Sequence, residues 1–386
     1  MSALFESLEN TKIVEILQQM IRIHTVQPDG QEKDMVKYIC SLFPGENVVK
    51  RIIDHGRNRA SLVVTIPGVD HSRSLGITGH MDTISVSDLD EWEHPPFAAD
   101  YVDGRVYGRG AADMKGGLVS MVVAALTLAD SAEKPPVDVH FCFTADEEVS
   151  GIGAKAILAS GFVKNVEEMV IIKPTDEKLG LAEKGALWLD IEIKGKDFHA
   201  AMPEKGINAI SSFIELSSGI NNILEKGKRH ELLGKSTCVI TSLKGGEHLN
   251  IVPDRAVGKL DIRTLPSVDH DTFLSQIFSI AQEMMEKHSG LKITINVLND
   301  RPPVGMSKRS PLVKRFQKIY EKLGLPVEFT HIPYFTDASI FIPSLGVPFV
   351  LFGPGDSLFY HQKDEFIFID SIVNVAKVLI TYIAEY

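Results

Sequence analysis

Two periodicities alternate along this chain, and their order constrains its fold more than any other feature. Short β-branched runs at 61–66, 74–78, 137–144 and 169–172 are separated by helical spacing at 114–130 and 151–160. Strands that alternate with helices bury their apolar faces as a sheet covered by helices. An opening helix over 3–22 carries Leu4, Phe5, Leu8, Ile13, Ile16, Leu17, Met20 and Ile21 on one face, and a second helix fits 31–43. After Gly185 the pattern changes. Alternating runs at 186–193, 236–243, 256–264 and 292–298 enclose helices at 207–225 and 270–288. That order, β-α-β-β-α-β, is the ferredoxin-like split unit. Helix–strand alternation resumes with helices at 310–323 and 369–384 and strands at 326–331 and 347–352. The expectation is one α/β domain built from 1–184 and 299–386, interrupted by an inserted domain over 185–298.

Charge and cysteine content narrow the function. The 386 residues carry 40 Lys and Arg against 51 Asp and Glu, a formal net charge of −11. A nucleic-acid partner is disfavoured, because that affinity rests on neutralising phosphates, and so is an anionic membrane surface. Cys40, Cys142 and Cys238 are far apart and lack CxxC spacing, which argues against a disulfide framework or a thiolate zinc site. No basic-then-apolar leader opens the sequence, and no uninterrupted apolar run approaches a membrane span. The expectation is a protein of the reducing cytoplasm.

Four clusters carry chemistry, each beyond a strand end, where ligands bind in open α/β sheets. Gly79-His80-Met81-Asp82-Thr83 follows the strand at 74–78. His80 and Asp82 face one way if the strand continues; neutral imidazole ligates zinc and a neighbouring carboxylate can orient it. Alone, the pair also fits a surface histidine beside a turn. Gly108-Arg-Gly-Ala-Ala-Asp113-Met-Lys-Gly places Asp113 at a helix start, where it is a cap or a ligand. Phosphate-loop and dinucleotide spacings are absent there. Thr144-Ala-Asp146-Glu147-Glu148 packs three carboxylates together. A divalent cation would relieve their repulsion and leave one free as a base, although a solvated acidic loop has the same sequence. The fourth cluster is Phe352-Gly-Pro-Gly355 with His361 beyond it.

In this order, and with the inserted β-α-β-β-α-β segment, the clusters resemble the co-catalytic metallohydrolase family of aminoacylase, carboxypeptidase G, acetylornithine deacetylase and succinyl-diaminopimelate desuccinylase. The resemblance implies a zinc-peptidase-like catalytic domain with a central mixed sheet and an inserted ferredoxin-like dimerisation or lid domain. By position, His80 resembles a ligand of the first metal and Asp113 the bridging carboxylate, in a family where the next peptide bond is often cis. Glu148 and His361 resemble ligands of the second metal. Glu147 resembles the general base, and Asp82 the partner that orients His80. His199 resembles a residue that reaches the partner subunit's active site. Asn250, Thr336 and Gly355 resemble substrate-side positions, and Arg263 resembles the residue that binds a substrate carboxylate. Asn250 also reads as a turn residue, and Arg263 as a strand partner of Asp261. The implied activity is hydrolysis of an amide bond in an N-acyl amino acid or small peptide with a free carboxylate, by a homodimer using zinc, with cobalt or manganese as substitutes.

One position departs from the pattern. Where the family carries a ligating carboxylate in a strand–Glu-Pro-Thr motif, this chain reads Val170-Ile-Ile-Lys173-Pro-Thr175. A protonated ammonium is no ligand. The exchange shifts the local charge by two units, the charge of one divalent ion. The expectation is that Lys173 stands near the first metal's place, paired with Asp113, leaving one metal on Asp113, Glu148 and His361. Asp176 as a substitute ligand, a deprotonated Lys173 as ligand, and a lysine not native to the position stay open. So does a different function class: a family member that has lost catalysis and serves to bind or regulate.

Overall fold

A computed structural model describes Phe5, residues 8–356 and residues 358–386. Of the apolar positions in the opening helix, Leu4 lies outside the described residues. The chain forms two compact units: one runs through Leu181 and resumes over Met306–His331 and Thr336–Tyr386; the other comprises Ala182–Gly305 and Ile332–Phe335.

The first unit is built on a mixed sheet. Its strands are β1 (Val49–Asp54), β2 (Ala60–Ile66), β3 (Asp70–His80), β4 (Val137–Thr144), β5 (Val166–Ile171) and β6 (Leu179–Glu183), joined by the strand Phe349–Leu351. The order is β1-β2-β4-β3-β5-(349–351)-β6. β4, β3, β5 and Phe349–Leu351 run parallel to one another, while β1 with β2, β2 with β4, and Phe349–Leu351 with β6 pair antiparallel. Central strands are covered on both faces, so β2 is buried along its whole length, as parallel-sheet cores require. α1 (Asn10–Arg22) turns Ile13, Ile16, Leu17, Met20 and Ile21 inward. α2 (Gly116–Ala129) is apolar almost all round because it lies within the core, against the helix Ile369–Ala384. Together with the irregular turn before it, this helix is long and apolar enough to cross a membrane by composition, yet nearly all of it is buried inside the protein. Gly79 in β3 admits this packing: a Cβ there would stand 2.4 Å from Met114 Cε.

The second unit is a four-stranded antiparallel sheet of β7 (Gly185–Lys194), β8 (Thr237–Gly245), β9 (Arg255–Thr264) and β10 (Lys292–Arg301), carrying α3 (Ala209–Glu225) and α4 (His270–Lys287). The order β8-β9-β7-β10 is the ferredoxin-like arrangement. Leu189, Ile191, Phe213, Leu216, Leu260 and Ile277 form its core. The expected limit at 298 is too short. β10 stays paired with β7 out to Arg301, opposite Ala186, and the unit extends to Gly305 and takes in 332–335.

Candidate active site

The catalytic clusters converge at the carboxyl ends of the parallel strands. His80 is the last residue of β3. Asp113 lies in the irregular turn before α2, with extended φ and ψ of −115° and 94° and a cis peptide bond to Met114. Asp146, Glu147 and Glu148 follow β4, and Lys173 follows β5. His361 sits in a loop with φ of 61°.

Each approach has a measurable geometry. His80 Nδ1 donates to the Asp82 carbonyl at 2.9 Å, which leaves Nε2 pointing at Asp113 Oδ1, 3.0 Å away. Lys173 Nζ stands 2.8 Å from that same Nε2 and 2.8 Å from Asp113 Oδ1. On the other side of Asp113, His361 Nε2 is 3.6 Å from Oδ2 and 3.3 Å from Glu148 Oε1. Ligand atoms of His80, Asp113 and Glu148 all lie within 4.8 Å of one another. Glu147 is buried between them: one oxygen is 3.8 Å from His80 Nε2, the other 3.7 Å from Lys173 Nζ. Among the described residues, Glu147 Oε1 accepts no hydrogen bond.

Burial and charge set the protonation. Burial drives the Glu147 carboxyl up to about 8, against the Lys173 and His80 charges. Asp113 is also buried, but Lys173, His80 and His361 hold it far below the usual carboxylate range. Burial and Lys173 press the His80 ring toward neutrality, yet Glu147 and Asp113 outweigh them and raise it to about 10. The 2.8 Å separation of Nε2 and Nζ leaves room for one proton between the two nitrogens.

The surrounding residues show what holds the cluster in shape. The Asp82 carboxylate accepts from the backbone N–H groups of Glu147 at 3.0 Å and Glu148 at 3.1 Å, and from Gln27 at 2.8 Å. Its nearer oxygen is 3.7 Å from His80 Nδ1. It is thus the Asp82 carbonyl that orients the imidazole, while the carboxylate fixes the turn bearing Glu147. Arg59 bridges Glu32 and Asp146 at 2.9 and 2.8 Å. Glu365, paired with buried Arg109, accepts from the N–H groups of Ala112 and Asp113 at 2.9 and 3.0 Å. Asp337 accepts from Thr144 at 2.6 Å. Sequence reading missed Arg59, Glu32, Arg109 and Asp337 in these roles. They carry no local signal of these roles, because their partners lie far off in sequence.

The other sequence-nominated residues fall into two groups. Thr336 is buried, its hydroxyl accepting from Ala338 N–H at 3.0 Å. Gly355 has φ of 89° and packs against Ala112, where a Cβ would come within 3.3 Å. Asp176 is not a substitute ligand: it is largely exposed, pairs with Lys178 at 3.1 Å, and donates its N–H to the Gly355 carbonyl. His199, Asn250 and Arg263 belong to the second unit. His199 and Asn250 are exposed neighbours, the Ala200 N–H donating to the Asn250 carbonyl at 2.8 Å. Arg263 forks onto Asp261 at 2.7 and 3.0 Å.

Known proteins place this arrangement. The sequence profile of peptidase family M20/M25/M40 matches residues 76–385. A probable succinyl-diaminopimelate desuccinylase of Staphylococcus epidermidis is 30% identical over 383 residues, covering 92% of each chain. Among solved structures, aminopeptidase PepT of Bacillus cereus superposes with a TM-score of 0.76 at 20% identity, over 98% of this chain and 99% of that one. The YXEP protein of Bacillus subtilis, a dinuclear metal-binding M20 peptidase, gives 0.74 at 17% identity, over 97% and 98%. The fold, the strand-end clusters and the sequence match agree: this chain belongs to peptidase family M20/M25/M40 and is a hydrolase of amide bonds.

Proposed function

We propose that the chain is a cytoplasmic, zinc-dependent hydrolase of N-acyl amino acids or small peptides that carry a free carboxylate. The observation that carries this is Glu147, a buried carboxylate with an unbonded oxygen beside a set of cation ligands. A divalent ion fits one side of that set. Tetrahedral ligands at about 2.0–2.2 Å from zinc stand roughly 3.3–3.6 Å apart. The approaches of His361 Nε2 to Glu148 and Asp113 are 3.3 and 3.6 Å. Asp113, Glu148 and His361 would hold the ion. When bound, it supplies Lewis-acid polarisation and acidifies water.

The chain's own groups do the rest. Glu147 Oε1 takes the proton of the attacking water and returns it to the departing amine, which its position beside the ligands permits. Asp82 keeps Glu147 in place through the backbone. Arg263 binds the substrate carboxylate in exchange for Asp261, and Asn250 assists. His199 comes from a second subunit. A homodimer through the second unit is supported by β8, which among the described residues pairs only with β9 and exposes Val239 and Ile240.

Purified protein assayed against N-succinyl and N-acetyl amino acids and dipeptides tests the reading; the named relative makes N-succinyl substrates the first choice. Turnover is expected, and Glu147→Gln should lower it about 10²–10⁴-fold while zinc content and folding stay unchanged. An unchanged rate in that variant removes Glu147 as the base. No turnover on any of these substrates overturns the reading.

A further inference from the structure

The Bacillus subtilis YXEP protein, which shares this fold, is dinuclear, and the residues here do not fit a second ion. We propose that the Lys173 side chain, seated between His80 and Asp113, is the built-in cation of the position where a first metal would sit, so that the enzyme carries one divalent ion per chain. The proposal rests on the hydrolase reading above for the identity of the remaining ion site.

Nζ lies 2.8 Å from both His80 Nε2 and Asp113 Oδ1, the two atoms a metal would bind. Those atoms are themselves 3.0 Å apart. An ion about 2.1 Å from both, on the same side, would fall roughly 1 Å from Nζ. Ion and amine therefore exclude one another. Nor can the side chain withdraw at low cost. Lys173 is 2% exposed, and moving its charge off these partners would strand it in the core. Its backbone is pinned as well: Ile172 N–H donates to Thr78 at 2.8 Å, and Gly353 packs so closely that a Cβ would stand 2.5 Å from the Lys173 carbonyl. The third direction of the amine faces Glu147 at 3.7 Å. The position thus keeps a positive charge beside the base without an ion to bind or lose.

The measurement is zinc per chain after stripping with chelator, incubation with excess zinc and gel filtration. The parent should hold one ion and Lys173→Glu two. His80→Ala should leave the parent's one ion in place, whereas His361→Ala should lose it. This pair keeps the test decisive if Lys173→Glu does not fold. Two ions on the parent protein overturn the proposal, as does loss of an ion in His80→Ala. A second ion that appears only with added bicarbonate also overturns it, since Lys173 would then be a carbamate ligand. None of these counts depends on turnover, so failure here and failure of the hydrolase reading are separate results.

Discussion

The two sides of Asp113 solve the same electrostatic problem in different ways. On the His80 side every group is buried, and the carboxylate is satisfied at 2.8 Å by a charge from the chain itself. On the His361 side the contacts are 3.3 and 3.6 Å, and the imidazole comes from a loop that leaves it 34% exposed. The first side is closed and complete. The second has the spacing that the proposed ion would need. A buried charge is costly unless paired, so a fixed ammonium suits the closed side. An ion that must enter and leave suits the open one.

The largest way to test this difference is to remove the fixed charge. Lys173→Met should leave Asp113 and Glu147 buried without their cation, and breaking such a pair costs about 3–5 kcal/mol. Urea unfolding of the metal-free variant and parent measures it. A loss below about 1 kcal/mol would show that the closed side does not depend on its internal charge. His361→Ala, in contrast, should shift metal-free stability by less than about 1 kcal/mol, because water screens its partly exposed ring.

A smaller effect lies with the residue that serves both sides. Asp82→Ala leaves the amides of Glu147, Glu148 and Gln27 without their acceptor. One such loss costs about 1–3 kcal/mol. Turnover should fall with it, because Glu147 loses its fixed position. Asp82→Asn, which keeps an acceptor oxygen, should recover part of both. If Asp82→Ala changed turnover but not stability, the carboxylate would act on the chemistry directly rather than through the turn.

The same contrast explains what the sequence made readable. Periodicity exposed the buried elements: β2, β4 and α2 are mostly apolar and buried along nearly their whole length, and the inserted strand β7 alternates cleanly. It did not reveal β1, an edge strand whose residues Val-Lys-Arg-Ile-Ile-Asp are mostly exposed and lack an alternating apolar face. Nor did it reveal β6, a five-residue strand with Gly180 packed against Leu351, or the helix Ala338–Leu345, which contains Pro343. The clusters bearing His80, Asp113, Glu147 and Glu148 were legible because each is a short polar run at a strand or helix end. The charges that brace them were not. Arg59 meets Asp146 and Arg109 meets Glu365 across separations that only the folded sheet closes. Asp82 was assigned through its carboxylate, but the atom that meets His80 is its carbonyl oxygen, a choice of rotamer and turn that sequence does not encode locally.

The smallest expected effect is on the open side, in metal-free protein. Burial pushes Glu148 up, but the hydrogen bond from His361 together with the Lys173 and His80 charges outweighs it and leaves the carboxyl below its ordinary value of 4.5. Burial pushes His361 down, but its bond to Glu148 and the Asp113 charge raise it above 6.5. A carboxylate held low stabilises the fold above its unfolded pKa, and the contribution is lost as pH falls through the folded value. An imidazole held high stabilises below its unfolded pKa, and that contribution is lost as pH rises through the folded value. Both shares are present together between 4.5 and 6.5. Water screens the partly exposed ring, so the pair is worth less than about 1 kcal/mol. The melting-temperature gap between parent and His361→Ala, both metal-free, should therefore be wider at about pH 5.5 than at about pH 9. An equal gap at both would mean that the imidazole has no charge partner there until an ion arrives.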